Sequence, residues 1–298
     1  MWELTRTGNA PAQEGATVGS FPDRFKGKSM LLVWEMIPVR VDGRAPGRWN
    51  QGVNDQPEWG RQVRTIRGVM VVCHILVEPD GRGAVLLDTG LVGEPWQIRW
   101  RLRQLGLGPR DVRAILLTHG HLDHAGNLAW AKAWTGAPVY AHPAEQAHID
   151  GRFPYVGAAR WCGWFERAGR AVLRVGASAK IDVPLADGDE LPFWGGLRVV
   201  HLPGHTLGHC GFFSARHSVL FCGDLFVSYF YHAHLPPRFL NSAPELIPAS
   251  LEKAARLGAR FMVPQHYAVL DGALHRVRFE RLLARVRQRH AARARPAV

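Results

Sequence analysis

The sequence predicts an α/β fold in which the strands do not all run parallel. Three observations lead there. Short apolar, β-branched runs recur along the chain, helix-patterned segments separate most of them, and two stretches read as hairpin pairs rather than crossovers. The length of 298 residues allows two domains of ordinary size or one large α/β or double-sheet domain. Apolar residues make up 47% and charged residues 21%, the balance of a globular chain rather than a disordered one. The 11 Trp and 13 Phe can fill a large core.

Residues 1 to about 65 are rich in Gly, Pro and Asn and read as an irregular arm with one early strand, Met30 to Val41. Gly68 to Glu78 carries Val69, Met70, Val71, Val72, Ile75, Leu76 and Val77 and ends at Pro79-Asp80-Gly81, which predicts a strand and a turn. Ala84 to Leu87 is a second short strand, ending at Asp88-Thr89-Gly90. Glu94 to Leu105 sets Trp96, Trp100, Leu102 and Leu105 among Arg and Gln, an amphipathic helix stopped by Gly106. Val112 to Leu117 is a buried strand, followed by a helix carrying Leu128, Trp130 and Trp134 and by a strand from Pro138 to His142. Residues 145–185 form an aromatic, Arg-bearing insert that matches no simple pattern. Leu197 to Leu202, Ser218 to Cys222 and Arg260 to Pro264 are strands; Pro244 to Leu257 and Phe279 to Val286 are helices. No segment repeats at a fixed period.

Cys73, Cys162, Cys210 and Cys222 lack any C-x-x-C spacing and do not form a disulfide framework, so a reducing compartment is expected. The N-terminal MWELTRTGNAPAQEG has no charged region followed by an apolar run, and no secretory signal is read there. Apolar runs stay far short of the ~20 residues that span a bilayer. The expectation is a soluble, cytoplasmic protein that does not enter a membrane. The net charge of +12 raises nucleic acid as a partner. Eight Arg and one Glu, however, fall between His275 and Val298, where Phe279, Leu282, Leu283 and Val286 recur at helical spacing. That segment reads as a terminal helix burying one face and solvating its arginines on the other.

The chemistry concentrates in Thr118-His119-Gly120-His121-Leu122-Asp123-His124. Neutral imidazole nitrogens beside a hard carboxylate suit Zn²⁺ or a similar first-row metal. His119 and His121 point the same way on an extended segment, while Asp123 and His124 address a second point one turn later. These residues do not fill two metal shells. His205 in Leu202-Pro203-Gly204-His205, Asp224 in Cys222-Gly223-Asp224 and His266 after Met262-Val263-Pro264 are further candidates, each at the end of a predicted strand. His201, His209, Cys210 and Cys222 read as packing or supporting residues. The run Tyr229-Phe230-Tyr231-His232-Ala233-His234 either lines the substrate pocket or closes the core, and Tyr229 is a candidate catalytic residue.

Taken as an ordered set, His-x-His-x-Asp-His, the two spaced His and the single Asp resemble the metallo-β-lactamase superfamily of metallohydrolases, over about residues 70 to 266. The resemblance implies an αββα sandwich of two mixed β-sheets flanked by helices, built as one domain over residues 1–298. It implies that His119, His121 and His205 hold one metal, that Asp123, His124 and His266 hold a second, and that Asp224 bridges both. The cofactor implied is two Zn²⁺ per subunit, with Fe or Mn as alternatives. Asp88, in Leu86-Leu87-Asp88-Thr89-Gly90, would orient the ligand loop.

Such a site implies a metal-bridging hydroxide that cleaves a small ester, thioester or lactone, with Asp123 orienting or relaying its proton. Asp at the bridging position argues against β-lactam hydrolysis. Lactonases of the family commonly carry a Tyr three residues after that Asp, where this chain has Val227; its nearest tyrosine is Tyr229. Thioesterases share Pro203-Gly204-His205-Thr206-x-Gly208-His209 but continue toward a Gly-Cys-Gly-Arg stretch absent here. A phosphodiesterase or nuclease, or a β-lactam hydrolase of the same superfamily, is the alternative reading. The motifs contain no Lys or Arg, so a small-molecule substrate is expected and nucleic acid is not. The oligomeric state is left open.

Overall fold

The computed structural model describes residues 58–69, 71–155, 159–229 and 231–293. Met30 to Val41 and most of the predicted arm therefore lie outside the described residues. Among the described residues, β1 (Val63–Arg67), β2 (Val72–Val77), β3 (Ala84–Leu87), β4 (Val112–Leu116), β5 (Val139–Ala141) and β6 (Val183–Pro184) form one sheet in that order. β1 and β2, and β2 and β3, pair antiparallel, and the rest pair parallel. The second sheet runs β11 (Phe261–Pro264), β10 (Val219–Gly223), β9 (Cys210–Ser214), β8 (Leu197–His201), β7 (Glu190–Leu191). Only β10 and β11 are parallel there. Both sheets are mixed.

Side-chain alternation creates the layers. In β3, Val85 and Leu87 face the second sheet, whereas Ala84 and Leu86 face the helices. In β10, Val219 and Phe221 join the inter-sheet core, while Leu220 and Cys222 turn the other way. Helices α1 (Glu94–Gln104) and α3 (Leu128–Thr135) cover the first sheet with Ile98, Leu102, Leu128 and Ala131. Helices α6 (Ile247–Arg256) and α7 (Gly272–Arg293) cover the second with Leu251, Ala254, Phe279 and Leu283. The result is helix, sheet, sheet, helix, because two sheets that are apolar on both faces need two outer layers to bury them.

Several elements differ from the sequence expectation. The arm ends earlier than expected, since Val63–Arg67 is an edge strand whose Arg64, Thr65 and Arg67 disguise it. The strand expected from Gly68 begins at Val72, and the Gly68 N–H instead donates to the Val71 carbonyl at 2.9 Å. β9, Cys-Gly-Phe-Phe-Ser, contains no β-branched residue, and only its two Phe favour a strand; pairing on both edges makes it one. Among the described residues the insert holds two α-helices, α4 (Gln146–Ile149) and α5 (Arg160–Leu173). On α7 the arginines are not simply solvated: Arg285 donates to the Ala233 carbonyl, Arg278 to Ser228 Oγ, and Arg287 pairs with Glu252 at 2.6 Å. Among the described residues no helix is long and apolar enough to cross a membrane.

Phe221, fully buried, meets Trp194 at 5.5 Å and Trp59 at 6.4 Å between ring centroids, at the centre of the inter-sheet core. Phe221→Ala should lower the unfolding free energy by about 3–5 kcal/mol in denaturant titrations.

Candidate metal centre

Every candidate ligand sits just past the end of a strand or in the loop that follows it. β4 leads into His119 and His121, and the short helix α2 (Leu122–Ala125) carries Asp123 and His124. β8 leads to the loop bearing His205, β10 ends one residue before Asp224, and β11 ends two residues before His266. The strand ends from both sheets converge, so residues 147 positions apart in sequence, His119 and His266, close one site.

The nitrogens and oxygens of these residues form two overlapping groups. His119, His121 and His205 bring ligand atoms within 4.8 Å of one another, and so do Asp123, His124 and His266. Asp224 touches both: Oδ2 lies 3.4 Å from His205 Nε2 and 3.1 Å from His266 Nε2, and Oδ1 lies 3.4 Å from His124 Nε2. Asp123 Oδ2 lies 3.4 Å from His266 Nε2 and 3.7 Å from His124 Nε2. All seven residues predicted from sequence are thus gathered at one place.

The donor set fits a cation. The Nε2 atoms of His119, His121, His124 and His205 are buried and make no hydrogen bond, an arrangement that is costly unless an electron-pair acceptor sits among them. Burial and the surrounding imidazoles hold His119 and His121 well below the ordinary histidine value, which leaves them neutral. Burial would also lower His124, yet Asp224 and Asp123 outweigh it and push it up to about 10. His266 is driven well above its usual value against burial by Asp224 and Asp123. The carboxylates therefore demand positive charge at the second group, which a divalent ion supplies as well as protons do.

A supporting layer points three of these nitrogens, on His119, His124 and His205, inward. His124 Nδ1 donates to Asp88 Oδ2 at 3.0 Å. His119 Nδ1 donates to Thr118 Oγ1 at 3.0 Å, and that hydroxyl donates to Asp88 Oδ2 at 2.8 Å. One carboxylate thus fixes two rings, the outer role expected of Asp88. His205 Nδ1 donates to Asn241 Oδ1 at 2.8 Å, a residue that sequence reasoning misses because it lies 36 positions away in an unpatterned loop. His209 is also in support: its Nδ1 donates to the Leu202 carbonyl and its Nε2 accepts the Asp224 N–H at 2.9 Å. His201 Nε2 lies 2.8 Å from the Leu207 carbonyl, outside the ligand groups. Tyr229 Oη lies 3.4 Å from His266 Nδ1, at the edge of the centre. Cys210 and Cys222 are buried free thiols.

Glu145, which no motif marks, ties the two ligand loops together. Its Oε2 accepts the Gly120 N–H at 2.6 Å and its Oε1 the Gly208 N–H at 2.8 Å, with the side chain fully buried. Both partners must be glycine: a Cβ on Gly208 would lie 2.7 Å from Glu145 Oε1, and one on Gly120 2.7 Å from His148 Cβ. Burial pushes the Glu145 carboxyl up to about 7 against the pull of its two N–H donors. Asp88→Ala and Glu145→Ala should each lower divalent-metal affinity by about 10–100-fold in competition with a chromophoric chelator.

The sequence matches the family model described as the metallo-beta-lactamase superfamily over residues 66–266. A hydroxyacylglutathione hydrolase of Haemophilus influenzae, GloC, is 29% identical over 160 residues, 50% of this chain and 64% of the relative. A hydroxyacylglutathione hydrolase of Bdellovibrio bacteriovorus is 33% identical over 153 residues, 51% of this chain and 47% of the relative. The matched part thus spans less than two-thirds of these relatives. Among solved structures, a metallo-beta-lactamase family protein of Thermus thermophilus superposes with a TM-score of 0.60 at 27% identity, covering 78% of this chain and 81% of that one. TTHA1623, solved in a di-iron-bound form, gives 0.53 at 27% identity over 72% of this chain and 97% of that one. With the family model spanning strands β2 to β11 and every candidate ligand, this chain belongs to the metallo-beta-lactamase superfamily.

Proposed function

We propose that this protein is a dinuclear metal-dependent hydrolase of a small activated carbonyl compound, a thioester first and an ester or lactone next. The observation that carries this reading is the sharing of Asp224 between two groups of buried ligand atoms. His119, His121 and His205 would hold one ion, Asp123, His124 and His266 the other, and Asp224 both. The imidazole-rich set suits Zn²⁺, and the carboxylates admit Fe or Mn. The thioester preference draws on the two hydroxyacylglutathione hydrolases among the relatives.

When bound, two such ions supply Lewis acidity, lowering the pKa of water and polarising a carbonyl. The chain's own groups do the rest. His119 and His121 are kept neutral by burial and so remain electron-pair donors at neutral pH. Burial would raise Asp123, but His124 and His266 outweigh it and hold the carboxyl below its usual range, so it is ionised. With its side chain 30% exposed, Asp123 can accept a proton from an attacking water and pass it outward. Tyr229 Oη, within 3.4 Å of His266 Nδ1, steadies that ring and offers a hydroxyl at the rim of the centre.

The purified protein should contain about two equivalents of divalent metal per chain by elemental analysis. Chelation should abolish thioester hydrolysis and metal return should restore it; a metal-free chain with undiminished activity would refute the reading. Asp123→Ala should cut kcat by about 10²–10⁴-fold with an unchanged circular dichroism spectrum. A panel of thioesters, lactones, β-lactams and phosphodiesters ranks the substrates, and a phosphodiester as best substrate would favour the alternative.

A further inference from the structure

Helix α5, in the insert, is seated with its aromatic side outward. Trp161, Trp164, Phe165 and Val172 are exposed by 67%, 59%, 59% and 80%, whereas Cys162, Gly163 and Glu166 are buried. With Ala168, the outward residues recur at i, i+3, i+4, i+7 and i+11, a stripe within about 100° of arc. A helix of a globular domain ordinarily turns such a stripe inward. Here the inner seat is already taken. The Tyr155 hydroxyl donates to Glu166 Oε1 at 2.7 Å, and a Cβ on Gly163 would lie 3.0 Å from Tyr155 Cδ2. Arg170 donates to the carbonyls of His148, Ile149 and Gly176. Rolling α5 to bury its tryptophans would break all of these contacts, so the fold holds the apolar stripe at the surface.

Arginines border that stripe. Arg160 and Arg167 lie seven residues apart along one edge of it, Arg174 follows just past the helix end, and all three are exposed. Arg167 reaches the Arg152 carbonyl and sits 5.8 Å from the centre of the Phe153 ring. None of the three has a carboxylate partner among the described residues. Residues 151–181 hold six Lys or Arg and a single acid, Glu166, and that acid is buried. The exposed charge of this segment is therefore all positive.

An apolar stripe edged by unpaired arginines complements a surface that is apolar within and anionic at its rim, which describes an anionic phospholipid bilayer. We propose that α5 docks the protein on such a surface, with Trp161, Trp164, Phe165 and Val172 at the boundary of headgroups and acyl chains. Arg160 and Arg167 then meet lipid phosphates. A second copy of α5 fits less well, because it brings the same arginines and no exposed acid to face them. A nucleic acid calls for cations within the contact, and here they stand along its border. The helix lies on the bilayer; among the described residues no helix crosses one. The inner side of α5 borders the candidate metal centre, with Glu166 Oε1 3.8 Å from His121 Nε2. Docking thus brings that centre to about 10–12 Å from the lipid, one helix diameter. The inference stands apart from the proposed hydrolysis.

The test is flotation of the full chain with vesicles of phosphatidylcholine, alone or mixed with phosphatidylglycerol. The chain should bind the mixed vesicles, less so as salt is raised, and bind phosphatidylcholine alone only weakly. Trp161→Ala/Trp164→Ala should weaken binding by about 100-fold, about tenfold for each ring. Arg160→Gln/Arg167→Gln should weaken it by about 25-fold, about fivefold for each charge, and serves if the tryptophan pair does not fold. Arg281→Gln/Arg289→Gln on α7 removes equal charge and should leave binding unchanged. A loss there with none at α5 makes the basic terminal helix the contact and overturns the proposal. So does a wild-type chain that ignores the mixed vesicles, or one that binds both kinds equally. A dimer in sedimentation velocity that Trp161→Ala/Trp164→Ala splits, without vesicle binding, assigns the face to a second copy instead. Binding to a short oligonucleotide that the same variants lose, without vesicle binding, assigns it to nucleic acid. Hydrolysis of a water-soluble thioester should be unchanged in every variant, so failure of the docking surface and failure of the proposed function are read separately.

Discussion

The carboxylate of Asp224 is where the parts of this molecule meet. It leaves the end of β10 and faces His124 from the first sheet's loops and His205 and His266 from the second's, each within 3.4 Å. A single buried anion surrounded by imidazoles holds loops from four strand ends in register. Those loops can approach so closely only because the two sheets pack face to face with Phe212, Phe221, Leu87 and Leu116 between them. Packing brings the strand ends together, and the electrostatics of one carboxylate decides how they are arranged once there.

Around that centre the protein places its polar groups outward in layers. The rings of His119, His124 and His205 each use Nδ1 on a protein acceptor, which leaves Nε2 facing the centre. Asp88 serves two rings at once, and Glu145 joins the loop after β4 to the loop after β8 through backbone N–H groups. Such supports remove rotational freedom from these side chains, so less entropy would be lost on binding an ion. Stability and site geometry draw on the same residues here, since Asp88 and Glu145 are buried carboxylates whose hydrogen bonds also anchor loops.

The insert shows how far a helix can depart from the pattern by which helices are recognised. α5 hides small and acidic residues and exposes aromatic ones, so no apolar stripe in the sequence marks its buried face. The reason is local: beside a small apolar cluster of Phe153, Tyr155, Ala159 and Cys162, the inner face meets the Tyr155 hydroxyl and His121, a polar neighbourhood. Sequence patterning assumes that what is buried is apolar, and beside this cluster of buried histidines and carboxylates that assumption fails.

Much of the site is legible in the amino-acid order. His119, His121, Asp123 and His124 are close neighbours in the chain, and a cluster of ligand-type side chains after a buried strand carries its chemistry in its spacing alone. His205, Asp224 and His266 stand out because each follows an apolar run, and the α/β character follows from the same runs. The tertiary structure alone could decide the partners that have no local signature: Asn241 behind His205, Glu145 between two glycines, Tyr155 and Glu166 beside His121. It also decided β9, which has no β-branched residue and is a strand only because β8 and β10 flank it. Ligand identity is written in the chemistry of single residues, which a sequence displays. Ligand support depends on distances between segments far apart in the chain, and those exist only once the two sheets have closed on each other.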